Sequence, residues 1–378
     1  MRLDDLTVWT VNVPYARPFT SSFETRTGTT RTILRLRTDD GLEGWGETMH
    51  GSPTAAIIEK IYPQIRGTDP HRLQQAAETF HMVPYFYGYL GAAALAGIEM
   101  ACWDLIGKAA GRPLADLLGG PVRDRVPVTA VLTPGLVGEP TGAVALADAL
   151  SEEILRVQAN EGAGAFKIKG STDPLHDVVL LERIRERLGR ELPLRVDPNA
   201  HWTVPRTLEL ARRIEDLGLE YLEDPVPGIA GMAAVRRDLR VPLCTNMCVT
   251  EFDHVAPAIR LGAVDVVHGD VHRWAGISPT RRLAGVLETH GLGMNLHSGG
   301  EIGLSTAAHL HLTSATPQIG YAIDTVYQYL EHDVVTRPFE IRDGAMTPPA
   351  GPGLGVEVDP EALASAARAH ERDGDLLL

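Results

Sequence analysis

The chain of 378 residues carries a formal charge of −14, with 44% hydrophobic and 22% charged residues, the proportions of an ordinary globular protein. That charge argues against non-specific nucleic-acid binding, while an anionic substrate remains open wherever a cation and local lysines reverse the sign of one cleft. No apolar run approaches the roughly 18–20 residues that span a bilayer, and the N-terminus, MRLDDLTVWT, lacks the basic-then-apolar layout of a signal peptide.

Alternating runs near 3–13, 31–38 and 42–48 predict strands, with Asp39–Asp40–Gly41 as a hairpin turn. The polar stretch RPFTSSFETRTG at 17–28 reads as a loop long enough to serve as a flap. Helical patterns follow at about 53–63 and 70–82 and along the Ala-rich stretch 89–110, which ends at Gly111–Arg112–Pro113. Residues 1–125 are therefore expected to form an α+β unit.

From about residue 126 short apolar runs alternate with helical segments. Candidate strands end near Thr133, Lys169, Asp197, Glu223, Asn246, Asp270, His297 and Asp324. The steps from Lys169 onward are 28, 26, 23, 24, 27 and 27 residues, each fitting one strand, one helix and two loops. Right-handed βα units of that length close into a barrel of eight parallel strands. The expected fold class is α/β, a TIM-like barrel over 126–330, with the leading domain and the last stretch, 331–378, outside it.

Each of those strands stops on a residue able to do chemistry, in the contexts FKIKG, LRVDPNAHW, YLEDPVPG, LCTNMC, VVHGDVH, MNLHSGGE and YAIDT. Singly, each has a plain structural explanation: Asp and Asn cap helices and form turns, and a strand-end Lys reaches water. Lys167 and Lys169, two apart and so on one strand face, would on their own suit a solvated edge strand. Matching register on successive strands is another matter, because strand C-termini of a barrel converge on one face.

Asp197, Glu223 and Asn246 offer only oxygen donors, a hard-cation set suited to Mg²⁺, one ion per subunit. Lys169 is expected on one side of that ion, and the Asp270–His297 pair on the other, with Asp270 fixing the imidazole tautomer and raising its basicity. Two bases flanking a divalent cation suit removal of a proton alpha to a carboxylate, where the enediolate needs its charge held. Lys167, a like charge beside Lys169, is expected to lower the pKa of that base.

These residues resemble the mandelate racemase subgroup of the enolase superfamily, whose Lys or His base beside Mg²⁺ is a known arrangement. The stretch ALAGIEMACWDLIGKAAGRPLADLLGG, ending at Gly120, is similar to that family's capping-domain helix, and PGLGVEVD at 352–359 to its C-terminal return. The resemblance implies a modified (β/α)7β barrel under an α+β capping domain built from both chain ends, and a homo-oligomer. TNM at 245–247 and DPNAHW at 197–202 resemble the glucarate dehydratase branch, which makes Asn199 a substrate-side candidate. It implies dehydration of a small anionic acid sugar to a keto-deoxy acid: Lys169 or His297 takes the proton, and His297 protonates the leaving hydroxyl. Lys167 would contact the substrate carboxylate.

HSGGE at 297–301 departs from that branch, which carries Asn residues after the His-Ser. The same site also suits a racemase or epimerase of a 2-hydroxy or sugar acid. A non-catalytic ligand-binding barrel is the alternative of another class, and the full set of bases and ligands speaks against it. Asp324 is expected to accept a bond from a substrate hydroxyl or to cap the next segment. His272 and Arg273 are within reach of the site, but a role in their loop is the stronger expectation, and His309 and His311 are expected to be structural. Tyr15, Arg17, Phe19 and the residues around His50 are candidates to line the pocket. Cys244 and Cys248 read as packing residues, and three cysteines without a paired framework point to a reducing, cytoplasmic setting.

Overall fold

The structure, a computed structural model, describes residues 1–82 and 89–376. Three strands open the chain, β1 (Leu3–Thr20), β2 (Thr25–Thr38) and β3 (Glu43–Met49), antiparallel in that order. The 17–28 segment is not the flap its polarity suggested. β1 and β2 run on through it, pairing Phe19 with Arg26 and Thr20 with Thr25, and only residues 21–24 turn. Threonine's β-branch favours extended backbone, and a register shift between Pro14 and Phe19 accommodates prolines that cannot donate to the ladder.

The helices α1 (Gly51–Ile65) and α3 (Tyr89–Ala110) pack on this sheet, with α2 (Leu73–Met82) beside them. Glycine lets β3 and α3 meet backbone to backbone: a Cβ at Gly46 would lie 2.1 Å from the carbonyl oxygen of Gly97. By length and composition α3 would qualify as a membrane span, contrary to the reading of the sequence, yet most of it is buried inside the fold.

After the short α4 (Leu114–Leu117), strands and helices alternate: β4 (Val126–Leu132), α5 (Ala143–Glu161), β5 (Ala165–Lys169), α6 (Pro174–Leu188), β6 (Leu194–Asp197), α7 (Val204–Glu209) and α8 (Ala211–Asp216). Then come β7 (Tyr221–Glu223), α9 (Gly228–Asp238), β8 (Leu243–Thr245), α10 (Phe252–Leu261), β9 (Val266–Gly269), α11 (Ile277–Thr289), β10 (Gly293–Leu296), α12 (Gly303–Ala315) and β11 (Ile323–Thr325). Local signals mark the helix starts, as at α6, where Asp173 accepts from the Leu175 amide and Pro174 supplies a preset φ.

All eight strands are parallel, in the order β10-β9-β8-β7-β6-β5-β4-β11, and the sheet curls until its ends meet. The seam between β10 and β11 is held by a single bridge, Met294 to Ile319, and a 3.3 Å bond from the Gly320 amide to the Met294 carbonyl. The α/β barrel with a separate antiparallel N-terminal sheet matches the expected class. Beyond it β12 (Ala345–Met346) pairs antiparallel with β4. The last helix, α13 (Pro360–Asp373), returns to the first sheet, where Asn12 Nδ2 bonds the Gly374 carbonyl at 2.8 Å.

The inside of the barrel is polar. Arg195 is fully buried and donates from Nη1 to Thr129 Oγ1 at 2.7 Å and Asp324 Oδ1 at 3.1 Å, and from Nε to Glu220 Oε2 at 2.6 Å. Its guanidinium lies 4.8 Å above the Tyr221 ring. Asn295 Nδ2 donates to Tyr221 Oη at 3.0 Å, and Tyr221 Oη meets His268 Nε2 at 3.2 Å. This floor gives each buried charge a partner, as a low-dielectric site demands.

Candidate active site

At the C-terminal mouth of the barrel, Lys167 from β5 points inward and is 1% exposed. Its Nζ stands 2.7 Å from Glu223 Oε2, 2.9 Å from Asp324 Oδ2 and 3.3 Å from Asp197 Oδ2. Burial disfavours that ammonium, but the three carboxylates outweigh it and hold its pKa well above the ordinary lysine value. Lys167 is therefore their counterion. Lys169 points along the same face and donates to Asp197 Oδ2 at 2.5 Å and more weakly to Asn199 Oδ1 at 3.4 Å. Burial opposes ionisation of Asp197, and the two lysines reverse that, lowering its pKa.

Asn246 follows β8 in a turn organised by Asp224. That buried carboxylate accepts from Thr245 Oγ1 at 2.5 Å, the Asn246 amide at 2.7 Å and the Met247 amide at 3.1 Å. Burial and the neighbouring Glu223 charge push the Asp224 pKa up to about 7. The Asn246 side chain remains unpaired: its Oδ1 is buried without a donor, as is Glu223 Oε1. Buried oxygens without donors are costly unless something positive answers them. Two converging carboxylates and an orphaned amide oxygen, with no nitrogen or sulfur in the set, fit a hard divalent cation. His268 Nε2, 3.1 Å from Glu223 Oε2, braces the same carboxylate from below.

Across the mouth, His297 Nδ1 meets Asp270 Oδ2 at 3.1 Å. Burial opposes the Asp270 charge, but the bond from His297 and the nearby His272 and Arg273 hold its pKa well below the ordinary value. An ionised carboxylate only accepts, so Nδ1 carries the proton and Nε2 is bare. Asp270 does not raise the basicity of this ring overall: burial, then the Arg273 charge, outweigh it and lower the His297 pKa to about 4, leaving a neutral imidazole at pH 7.

One cavity of about 280 Å³ joins Lys167, Lys169, Asn199, Asn246, His297 and Asp324. Asp197 and Glu223 reach it through their contacts with the two lysines. Asp324 neither caps a helix nor stands free; it binds Lys167 and Arg195. Tyr15, Phe19 and His50 line the wall as expected, but Arg17 turns away to pair with Glu153 at 2.7 Å.

Arg273, assigned from sequence to its loop, lies on the cavity, donating to the Asn246 carbonyl at 2.5 Å with its guanidinium 4.9 Å above the Tyr89 ring. Arg26, Arg31 and Tyr89 also line it and were not singled out in the sequence. The DVHRWAG context signalled Arg273 through its nearness to Asp270, whereas nothing local marks the other three. Cys244 and Cys248 are buried and unpaired, in keeping with packing. His311 bonds the Leu354 carbonyl at 3.1 Å, which agrees with a structural role.

Two family profiles match the chain, one described as Mandelate racemase / muconate lactonizing enzyme, N-terminal domain, over residues 4–119, and one as Enolase C-terminal domain-like, over 149–362. A protein of Streptomyces coelicolor named "Probable glucarate dehydratase" is 34% identical over 370 residues, covering 89% of this chain and 84% of its own. A solved isomerase from Streptomyces coelicolor A3(2) is 51% identical with a TM-score of 0.91, covering 97% of this chain and 99% of that one. An enolase from Thermobispora bispora, crystallised with magnesium and formate, is 33% identical with a TM-score of 0.91, covering 99% of this chain and 94% of that one.

Proposed function

This chain belongs to the mandelate racemase/muconate lactonizing enzyme family, and from that premise we propose that it is a Mg²⁺-dependent dehydratase of acid sugars. The observation that carries this reading is the placement of Lys169 and His297 on one cavity, with Asn246 on its lining and Asp197 bonded to Lys169. In this reading Asp197, Glu223 and Asn246 hold the ion, and the Thermobispora bispora relative crystallised with magnesium supports its identity. The ion would supply Lewis-acid stabilisation of the charge that builds on the substrate carboxylate.

The rest falls to side chains. His297, neutral in the resting site, accepts the proton alpha to the carboxylate without first losing one. Its imidazolium then carries that proton to the beta-hydroxyl, so water leaves and the enol collapses to a 2-keto-3-deoxy acid. Lys169, bonded as an ammonium to Asp197, must release a proton before it can serve the opposite face. Lys167 orients the substrate carboxylate, with Asp324 behind it. Asn199 stands at the substrate side of Asp197. Arg273 adds positive charge to the wall and favours a substrate with a second acid group, while Arg26 there is paired with Glu24.

The 34% identity to a protein named for glucarate dehydration supports elimination. A second reading, epimerisation or isomerisation of a sugar acid, is supported by the two proton carriers and by the relative described as an isomerase. A screen of aldarates and aldonates with Mg²⁺ present, read by semicarbazide, separates the two. A keto product from at least one acid is expected. Solvent deuterium entering an alpha position with no keto product from any acid would favour the second reading.

A further inference from the structure

We propose that Arg31 is a positioning residue for the Asp270–His297 pair, a clamp that reaches from the capping sheet onto both loops that carry it. The proposal rests on the reading that His297 exchanges a proton with substrate, so its test is built to be read without one.

Arg31 lies on β2 and is 1% exposed, with three donors in use. Nη2 stands 2.8 Å from His272 Nε2, and the His272 amide donates to Asp270 Oδ1 at 2.8 Å. Nη1 reaches the Gly299 carbonyl, two residues beyond His297, at 3.4 Å. Nε donates to Glu47 Oε1 at 2.8 Å. Glu47 in turn accepts the Ile302 amide at 3.0 Å and the Ser305 amide at 2.8 Å, pinning the start of α12 where the His297 loop ends. Arg31 on β2, with Glu47 on β3, thus ties the turn after Asp270, the turn after His297 and the helix beyond it to the capping sheet. Thr29, two residues earlier and so on the same face of β2, adds a 3.0 Å bond from Oγ1 to the Gly300 carbonyl.

The glycines of HSGGE acquire a reason. Gly300 has φ +86°, and a Cβ there would lie 2.7 Å from Tyr15 Oη and 2.8 Å from Thr29 Oγ1. Larger residues would hold the loop off the sheet and out of the clamp. The fork is also specific to arginine: it has donors in a fixed plane for three partners, whereas an ammonium on a flexible stem cannot span them. Because arginine only donates, His272 must present a bare Nε2, which leaves its ring neutral beside the dyad. A displacement of about 1 Å in a proton-transferring group costs on the order of 10²-fold in rate.

The test is long-range proton–nitrogen NMR on full-length protein labelled with ¹⁵N-histidine at pH 7.5, with His297→Asn assigning the signal. Wild type is expected to show His297 in one fixed tautomer, protonated at Nδ1. In Arg31→Lys and Arg31→Ala the Nδ1 and Nε2 shifts are expected to move toward each other as the tautomers average. Thr29→Val, which removes the hydroxyl's bond to Gly300 and its contact with Tyr15 but leaves the Arg31 fork in place, gives a smaller movement in the same direction and serves if the Arg31 variants do not fold. A folded Arg31→Lys, or failing that a folded Thr29→Val, with His297 shifts identical to wild type overturns the proposal. The outcome does not depend on turnover of any acid sugar, so loss of the dehydratase reading is seen separately. With a substrate in hand, Arg31→Lys should lower kcat by about 10²-fold with KM little changed.

Discussion

His297 and Asp270 meet through Nδ1 and Oδ2 at 3.1 Å, which fixes the imidazole with its other nitrogen bare. Removing either partner separates chemistry from binding. His297→Asn is expected to lower kcat by about 10²–10⁴-fold with the fold intact. Asp270→Asn keeps the shape but can donate to Nδ1, so the bare nitrogen faces the wrong way and a loss of the same order follows. Burial and Arg273 lower the His297 pKa to about 4, so any acid limb it sets in kcat/KM lies near pH 4 rather than 6.5. Unchanged turnover in both His297→Asn and Lys169→Met would remove the mechanism.

The donor set makes its own prediction. A chelator should abolish turnover and Mg²⁺ restore it. Asn246→Ala deletes the one neutral oxygen of the set, and Mn²⁺ affinity followed by electron paramagnetic resonance should fall by at least the 10–100-fold that loss of an outer partner typically costs, roughly. Equal affinity in wild type and variant would place the ion elsewhere.

Backbone contact between β3 and α3 leaves no room for a side chain at Gly46. Gly46→Ala puts a methyl 2.1 Å from the Gly97 carbonyl oxygen and should cost about 1–3 kcal/mol or more, read from urea midpoints. Gly285→Ala in α11 is the control: its added methyl meets open space, and it should stabilise by about 0.5–1 kcal/mol.

Asp333 gives a pH signature remote from the site. Its Oδ1 accepts the Gly303 amide at 3.1 Å and the Val334 amide at 2.6 Å, while Tyr327 Oη closes on Oδ2. Burial raises its pKa from the ordinary 3.8 to about 6. A carboxyl raised on folding binds its proton more tightly in the native state, so its contribution is full below about pH 4 and is lost as pH rises through 6. Asp333→Asn, neutral throughout, should show a flatter thermal midpoint between pH 4 and 7 than wild type. Parallel curves would contradict this.

The barrel was legible because its period is local: each βα unit repeats at 23–28 residues and ends on a polar residue. Residues read on that rule, Lys169, Asp197, Asn246 and His297 among them, do gather at one mouth. What the sequence hid are contacts between the two sheets. Arg31 looks like its strand neighbours Arg35 and Arg37, which pair with Glu43 and Asp5 in partial exposure, and no spacing separates the buried clamp from the ordinary ion pairs. The 17–28 stretch misled for a related reason, since its polar residues face a cavity and a neighbouring strand, and polarity alone reads as loop.

The join at Met294 and Ile319 has a dynamic meaning. Neighbouring strands of the cylinder share ladders, while this edge rests on one pairing and one long bond. Amide deuteration should enter the cylinder there before anywhere else in its wall. The two flanks carry His297 on one side and Asp324, the anchor of Lys167, on the other. An opening of that gap would move the imidazole away from the ammonium, so breathing of the wall is expected to set how long the two ends of the site stay in register.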